Sequence, residues 1–158
     1  MDMLVPLYRL PASTPLVEKL RGAGITLRHA NTFEISLLRG FIEKHFTRGW
    51  ADEVSSAFRQ MPATCIIAIH EKKIIGFAAY DCTRKGYFGP TGVDPAFRGQ
   101  GLGTALLLAA LEGLLHLGYG YAIIGAAGPS DFYVKTVGAI PIPDSIPGAY
   151  ADPLDQNP

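Results

Sequence analysis

The chain has 158 residues, 48% of them hydrophobic, 10% aromatic and 18% charged, the balance of one domain whose core stands without disulfides or metals. Fourteen Lys and Arg against fourteen Asp and Glu give a formal net charge of zero. That argues against a general nucleic-acid or acidic-membrane binder, since both need a basic surplus, and leaves room for a local basic pocket around one phosphorylated ligand.

Residues 1–24 are punctuated by Pro and Gly, with a short helix over Thr14–Leu20, and read as an N-terminal extension packed on the main domain. The opening Met1-Asp2-Met3-Leu4-Val5-Pro6 lacks the basic start and apolar core of a signal peptide, so a cytoplasmic protein is expected. Ile25–His29 alternates as a strand. Asn31 and Glu34 stand as a helix N-cap and its reciprocal partner, ahead of Phe33, Leu37, Leu38, Phe41 and Ile42 at helical spacing, which predicts a helix over Thr32–His45. The loop Phe46-Thr47-Arg48-Gly49 leads to a helix over Trp50–Gln60, closed by Pro62.

Thr64–Ile69 and Ile74–Tyr80 form a hairpin about His70-Glu71-Lys72-Lys73. Its register sets Cys65 roughly opposite Ala79 rather than Cys82, so two free thiols are expected, as in a reducing compartment. No CxxC or Cys/His cluster points to a metal. Gly86–Val93 continues the meander and carries Pro90, the mark of an edge or a bulge. The apolar helix Gly101–Leu117 is short for a bilayer span and is interrupted by Thr104, Glu112 and His116, so it reads as a buried helix stopped by Gly118. A strand over Tyr119–Gly125, a helix over Ser130–Val137 capped by Ser130 and stopped by Gly138, and a short strand over Ile140–Ile142 follow. The tail 143–158 is Pro-rich, loose at its end, and part of the same domain. This order predicts an α+β (mixed α/β) fold, with a mostly antiparallel sheet that turns parallel after the central helix.

Arg98-Gly99-Gln100-Gly101-Leu102-Gly103-Thr104 follows a strand and opens a helix. Unpaired amides and the helix dipole suit an anion there, and glycines allow close backbone approach; the same glycines are equally consistent with tight packing of helix on strand. A Walker A loop would need a lysine before Thr104, a dinucleotide fingerprint would need GxGxxG and a later acid, and a kinase loop would sit between strands. Val93-Asp94-Pro95 followed by Phe97 through Leu106 instead resembles the acetyl-CoA motif of the GNAT superfamily of N-acetyltransferases. Phe132-Tyr133-Val134-Lys135-Thr136-Val137-Gly138-Ala139 is similar to that family's C-terminal signature, one helix and one strand later.

The resemblance implies an acetyl-CoA-binding domain over residues 25–142, with the strands Gly86–Val93 and Tyr119–Gly125 splayed apart and helices flanking the sheet. It implies acetyl transfer from acetyl-CoA to a primary amine of a small molecule, without a metal. Backbone groups of Thr91 and Val93 would meet the pantetheine arm, and Arg98, Gly99, Gln100, Gly101, Gly103 and Thr104 would take the pyrophosphate. Tyr133 would be the general acid for the leaving thiolate; read on its own it is equally a half-buried aromatic. The alternative is a domain of the same fold that binds acetyl-CoA without turnover. A homodimer is compatible with the family.

The acceptor end is less determined. Phe46 and Trp50 suit an aromatic wall, Arg48 an acceptor carboxylate or phosphate, and Gly86-Tyr87-Phe88 and Ser145-Ile146-Pro147-Gly148-Ala149-Tyr150 the rims, while Trp50 is also read as helix core. The strand Gly86–Val93 holds no carboxylate, so Asp81 and His45 are base candidates by residue type only, beside a water route. The family pattern has Asn where Ala126 stands and Phe where Ala139 stands, which leaves the shape of the acceptor end open.

Overall fold

A computed structural model describes residues 1–155; the last residues of the Pro-rich tail, whose end the sequence reads as loose, lie outside the described residues. The strands are β1 (Met3–Pro6), β2 (Ile25–His29), β3 (Cys65–His70), β4 (Lys73–Tyr80), β5 (Tyr87–Val93), β6 (Tyr121–Ile124) and β7 (Ile140–Pro141). They form one sheet in the order β2-β3-β4-β5-β6-β1-β7. Every pairing is antiparallel except β5 with β6. The predicted mixed fold is therefore present, and the turn to parallel expected after the central helix is the one β5–β6 step.

Two helical layers cover this sheet. On one face lie α1 (Thr14–Gly22), α4 (Leu102–His116) and α5 (Ser130–Val137), packed with Ala78, Tyr80, Phe88 and Ile124. On the other lie α2 (Ile35–His45) and α3 (Arg48–Ser55), packed with Cys65, Ile67, Phe77 and Ala79. The α4 sequence is apolar nearly all round because it is buried nearly all round, from Leu102 through Leu114. Two glycines let it sit close. A Cβ at Gly113 would run into the Tyr80 ring, and one at Gly76 would meet Leu106 Cδ1 at 3.0 Å. Leu106 is fully buried, so truncation to Ala costs about 2–5 kcal/mol.

Local signals set the helix ends. The Asn31–Glu34 capping box forms as predicted, through a single 3-10 turn, with Asn31 N–H donating to Glu34 Oε1 at 2.6 Å. The next helix starts at Arg48 rather than Trp50 because the Thr47 side chain accepts from Trp50 N–H at 3.1 Å. Ser130 is the first residue of α5 and not its cap; the N-cap is Pro129, and no side chain caps that end. Gly138 closes α5 in the left-handed conformation.

Cys65 stands opposite Ala79, as the hairpin register required, and both cysteines are free. The hairpin turns on Glu71 and Lys72, both at positive φ, which suits the twist of a two-residue connection. Pro90 lies at a bulge, where β5 also loses β6 as a neighbour. Thr91 faces Ala78 while Phe88 faces Tyr80, so β5 carries one extra residue there.

Residues 1–24 hold a strand that the sequence reading did not find. β1 enters the sheet between β6 and β7, pairing Met3 with Ile124 on one side and with Pro141 on the other. Met3, Val5 and Leu7 are buried. Four residues carry too little periodicity to declare a strand, and the partner that stabilises this one lies at the far end of the chain. α1 docks through Ser13, whose N–H and Oγ donate to the two Glu112 carboxylate oxygens at 2.8 and 2.7 Å.

Candidate active site

β5 and β6 pair only at Tyr87 with Ile123 and Phe88 with Ile124. Past the Pro90 bulge they diverge, and the rest of β5 loses its neighbour on that side. The cleft so opened has a volume of about 420 Å³ and is walled by Thr91, Gly92 and Val93 of β5, by Ile124 and Gly125 at the end of β6, and by Tyr133 of α5. A second hollow of about 460 Å³ lies over Arg98, Gly99, Gly101 and Thr104. The two share Val93, Gly103, Pro129 and Phe132, so they adjoin between the glycine-rich turn and the divergence of the strands.

The turn is built to present backbone. Asp94 Oδ1 accepts from Ala96 N–H at 2.9 Å and starts the 3-10 turn Pro95–Phe97. Gly99 and Gly101 then take φ of +85° and +83°, a region that favours glycine. The helix opens with Ala105 N–H on the Gly101 carbonyl at 3.0 Å, and no side chain caps the amides ahead of it. Those amides, at the positive end of a 15-residue helix, face the hollow. Arg98 stands exposed at its rim. Gln100 lies outside the lining, and its side chain donates to the Phe97 carbonyl at 3.1 Å, bracing the turn. The Thr91 hydroxyl is spent on the Phe77 carbonyl at 3.0 Å, so what Thr91 offers the cleft is main chain.

Tyr133 lines the cleft and is 7% exposed. Its ring meets Phe88 edge-on at 6.3 Å and Phe132 at 5.2 Å. Burial pushes its phenol above the ordinary value, which keeps the proton on at neutral pH.

The opposite wall is aromatic. Phe46 lies over Gly92, where any Cβ would collide with its ring. Trp50 stacks on Phe46 at 5.4 Å, and both rings stand edge-on to Phe77. Trp50 therefore fills both roles weighed for it, packing on the α2–α3 core and lining the cleft. Phe46 supports this wall from behind. Arg48 is exposed in the first turn of α3 and outside the lining. Tyr87 also lies outside it, flanking Gly125 together with Tyr150.

The two base candidates separate. Asp81 Oδ1 accepts from Gly86 N–H at 2.6 Å and Tyr119 O–H at 2.8 Å, so it clamps the β4–β5 connection. His45 Nε2 lies 3.8 Å from Asp94 Oδ2, beside the Phe41 ring at 4.8 Å.

Sequence reasoning missed the residues that hold the end of β6. Ala126, at φ +48°, donates its N–H to Asp2 Oδ1 at 2.8 Å, and Ala127 N–H donates to the Met1 carbonyl at 3.0 Å. Asp2 N–H donates to Ser145 Oγ at 2.8 Å, tying in the C-terminal segment. These partners are far apart in the chain and leave no local pattern. Among the described residues no helix is long and apolar enough to cross a membrane, and no group of His, Cys, Asp and Glu is placed to hold a metal ion.

Residues 31–134 match the sequence profile of the acetyltransferase (GNAT) family. No curated protein matches the chain. Among solved structures, it is similar to a GCN5-related glucosamine N-acetyltransferase region of a fungal multi-domain GH3 β-N-acetylglucosaminidase, with a TM-score of 0.70 at 15% identity over 88% of this chain and 19% of that one. It is similar to a GCN5-related N-acetyltransferase from Sphaerobacter thermophilus, with a TM-score of 0.68 at 21% identity over 88% of this chain and 47% of that one. A GNAT family acetyltransferase from Brucella melitensis, solved in complex with acetyl-CoA, gives a TM-score of 0.54 at 19% identity over 70% and 80% of the two chains. At these identities the likeness is one of fold, and the chain spans under half the length of the first two.

Proposed function

The chain belongs to the acetyltransferase (GNAT) family, and from that premise we propose that it moves an acetyl group from acetyl-CoA to a primary amine of a small molecule. The observation that carries the reading is the pair of adjoining hollows that run from an uncapped helix N-terminus to Tyr133 beside two diverging strands. A pyrophosphate fits the amides of Gly101, Gly103 and Thr104, with Arg98 alongside. A pantetheine arm fits the unpaired edge of β5 from Thr91 to Val93, where it adds the hydrogen-bonding neighbour that β6 no longer supplies. Acetyl-CoA would supply the activated thioester; the protein orients it and keeps water out.

Tyr133 O–H gives its proton to the departing sulfur as the C–N bond forms and the C–S bond breaks. The proton shed by the amine nitrogen passes to water, from which the tyrosine is reprotonated. Burial suits Tyr133 to this role because the neutral phenol is the form it favours.

Titration calorimetry with acetyl-CoA, ATP and NAD, followed by CoA release with a panel of amines, tests the reading. Binding of acetyl-CoA alone and amine-dependent CoA release are expected. A preference for either nucleotide, or tight acetyl-CoA binding with no amine turned over, overturns it.

A further inference from the structure

The cleft between β5 and β6 is walled from both faces of the sheet. Gly103, Leu107 and Tyr133 reach it from α4 and α5, and Trp50 reaches it from α3 on the opposite face. A donor laid along β5 from the glycine-rich turn leaves the Trp50 side for the acceptor.

What that cavity of about 420 Å³ is made of decides what it can take. Trp50 is half-buried. Phe46 is stacked on it with 25° between the rings, Phe77 stands at 72° to it, and the indole surface they leave uncovered lines the cleft. Phe88, Leu107, Ile124 and Tyr133, all buried, continue the wall. Among the described residues no Asp, Glu, Lys, Arg or His lines this cavity. The Thr91 hydroxyl is spent on the Phe77 carbonyl, so Tyr133 is the lining residue with a hydroxyl still to offer. Asp81 is outside the lining and is engaged by Gly86 and Tyr119; His45 is outside it beside Asp94.

Such a wall discriminates by charge. An ammonium pressed against it loses hydration and gains no carboxylate in return, whereas a neutral amine loses little. Attack on a thioester also needs the lone pair of the nitrogen. An alkylamine with the ordinary lysine value of about 10.4 is neutral in only about one molecule in 2,500 at pH 7, and no base on this wall takes its proton. An amine nitrogen conjugated to an aromatic ring is neutral at pH 7, and its ring is a flat apolar body of the kind an indole face packs against.

We propose that the acceptor is an aromatic amine, with its nitrogen borne on the ring and arriving neutral, and with the ring held against Trp50. The proposal rests on the acetyl-transfer reading for the word acceptor, and its test reads binding rather than turnover. In the transfer the nitrogen lone pair forms the C–N bond, the C–S bond breaks, and Tyr133 gives its proton to the sulfur. The cationic nitrogen so formed sheds its own proton to water, and no carboxylate or imidazole is required.

4-Methylaniline and benzylamine are isomers with the same ring; at pH 7 the first is neutral and the second is an ammonium. Each is titrated by calorimetry, with and without saturating CoA, and by quenching of the emission of Trp50, the single tryptophan of the chain. 4-Methylaniline is expected to bind at least about tenfold more tightly at pH 7. Between about pH 6 and pH 8 its affinity is expected to stay level while that of benzylamine rises about tenfold per unit, because only its neutral form fits. Trp50→Ala is expected to weaken 4-methylaniline at least about tenfold while acetyl-CoA affinity stays within about twofold, and Trp50→Phe, which keeps a ring, to lose less. Benzylamine binding as tightly as its isomer at pH 7, or 4-methylaniline binding unchanged in Trp50→Ala, overturns the proposal. If Trp50→Ala does not fold, the isomer comparison on the unaltered protein decides it. Failure of acetyl-CoA to bind overturns the function reading instead, and the titrations without CoA still decide whether this wall takes a neutral ring.

Discussion

The two ends of the cleft are made of different material. At the proposed donor end the groups on offer are main chain: the open edge of β5, the glycines at positive φ and the uncapped first turn of α4. At the proposed acceptor end they are side chains, with Trp50 of α3 lining the cleft and Phe46 stacked on it. A site made of backbone constrains sequence through spacing and glycine, which is a short-range requirement. A site made of side chains is assembled from wherever the fold delivers them, and it changes one residue at a time.

The two ends meet at Tyr133, where the largest effect is expected. Tyr133→Phe should lower kcat by about 100- to 10,000-fold while acetyl-CoA affinity is unchanged, read as CoA release at saturating amine. A loss under about threefold would remove the proton from the tyrosine. At the donor end, Gly101→Val puts a β-branched residue at φ +83° and drives its Cβ to 3.2 Å from Leu16 Cδ1. Backbone strain of about 1–2 kcal/mol translates into roughly tenfold weaker acetyl-CoA binding by calorimetry, with the amine effect on Trp50 fluorescence retained. If both fall together, the ends are not independent.

At the acceptor end, Gly92→Ala forces the Phe46 ring off β5. Overpacking of about 1–3 kcal/mol, partly relieved by ring movement, should raise the amine KM about fivefold and leave donor affinity alone. The smallest effect belongs to a residue outside both ends. Glu34 caps α2 and pairs with Arg28 at 2.7 Å, and the Arg28 hydrogen bond is the main cause that holds its carboxyl at about 2. A lowered carboxylate stabilises the fold above the unfolded value and loses that contribution as pH falls from about 4.5 through about 2. Gln still accepts the Asn31 N–H and Arg28 is 39% exposed, so Glu34→Gln should cost less than about 1 kcal/mol at neutral pH by urea unfolding, and the deficit should shrink in acid. Turnover should not change.

Legibility in the sequence followed the same divide. The hairpin register at Cys65, the capping box at Asn31, the bulge at Pro90 and the glycine-rich turn are each written within a few neighbouring residues, and each was readable. The strand β1 was not, because Met3 becomes a strand residue only against Ile124. Ser130 has the composition of a cap, yet the helix starts one residue earlier than that role requires. Gln100 belongs to the motif by position, while its side chain turns back to brace the turn.

Taken alone, the sequence determined the order of the elements after β1, the glycine-rich turn and the place of Tyr133 on a short helix, because these rest on local backbone preference and short spacing. Only the tertiary structure decided that Asp2 pins the end of β6, that Trp50 faces both core and cleft, and that Tyr150 lies over Gly125. Those contacts join residues with no common period or motif, and they exist only once sheet formation has closed the long loops between them.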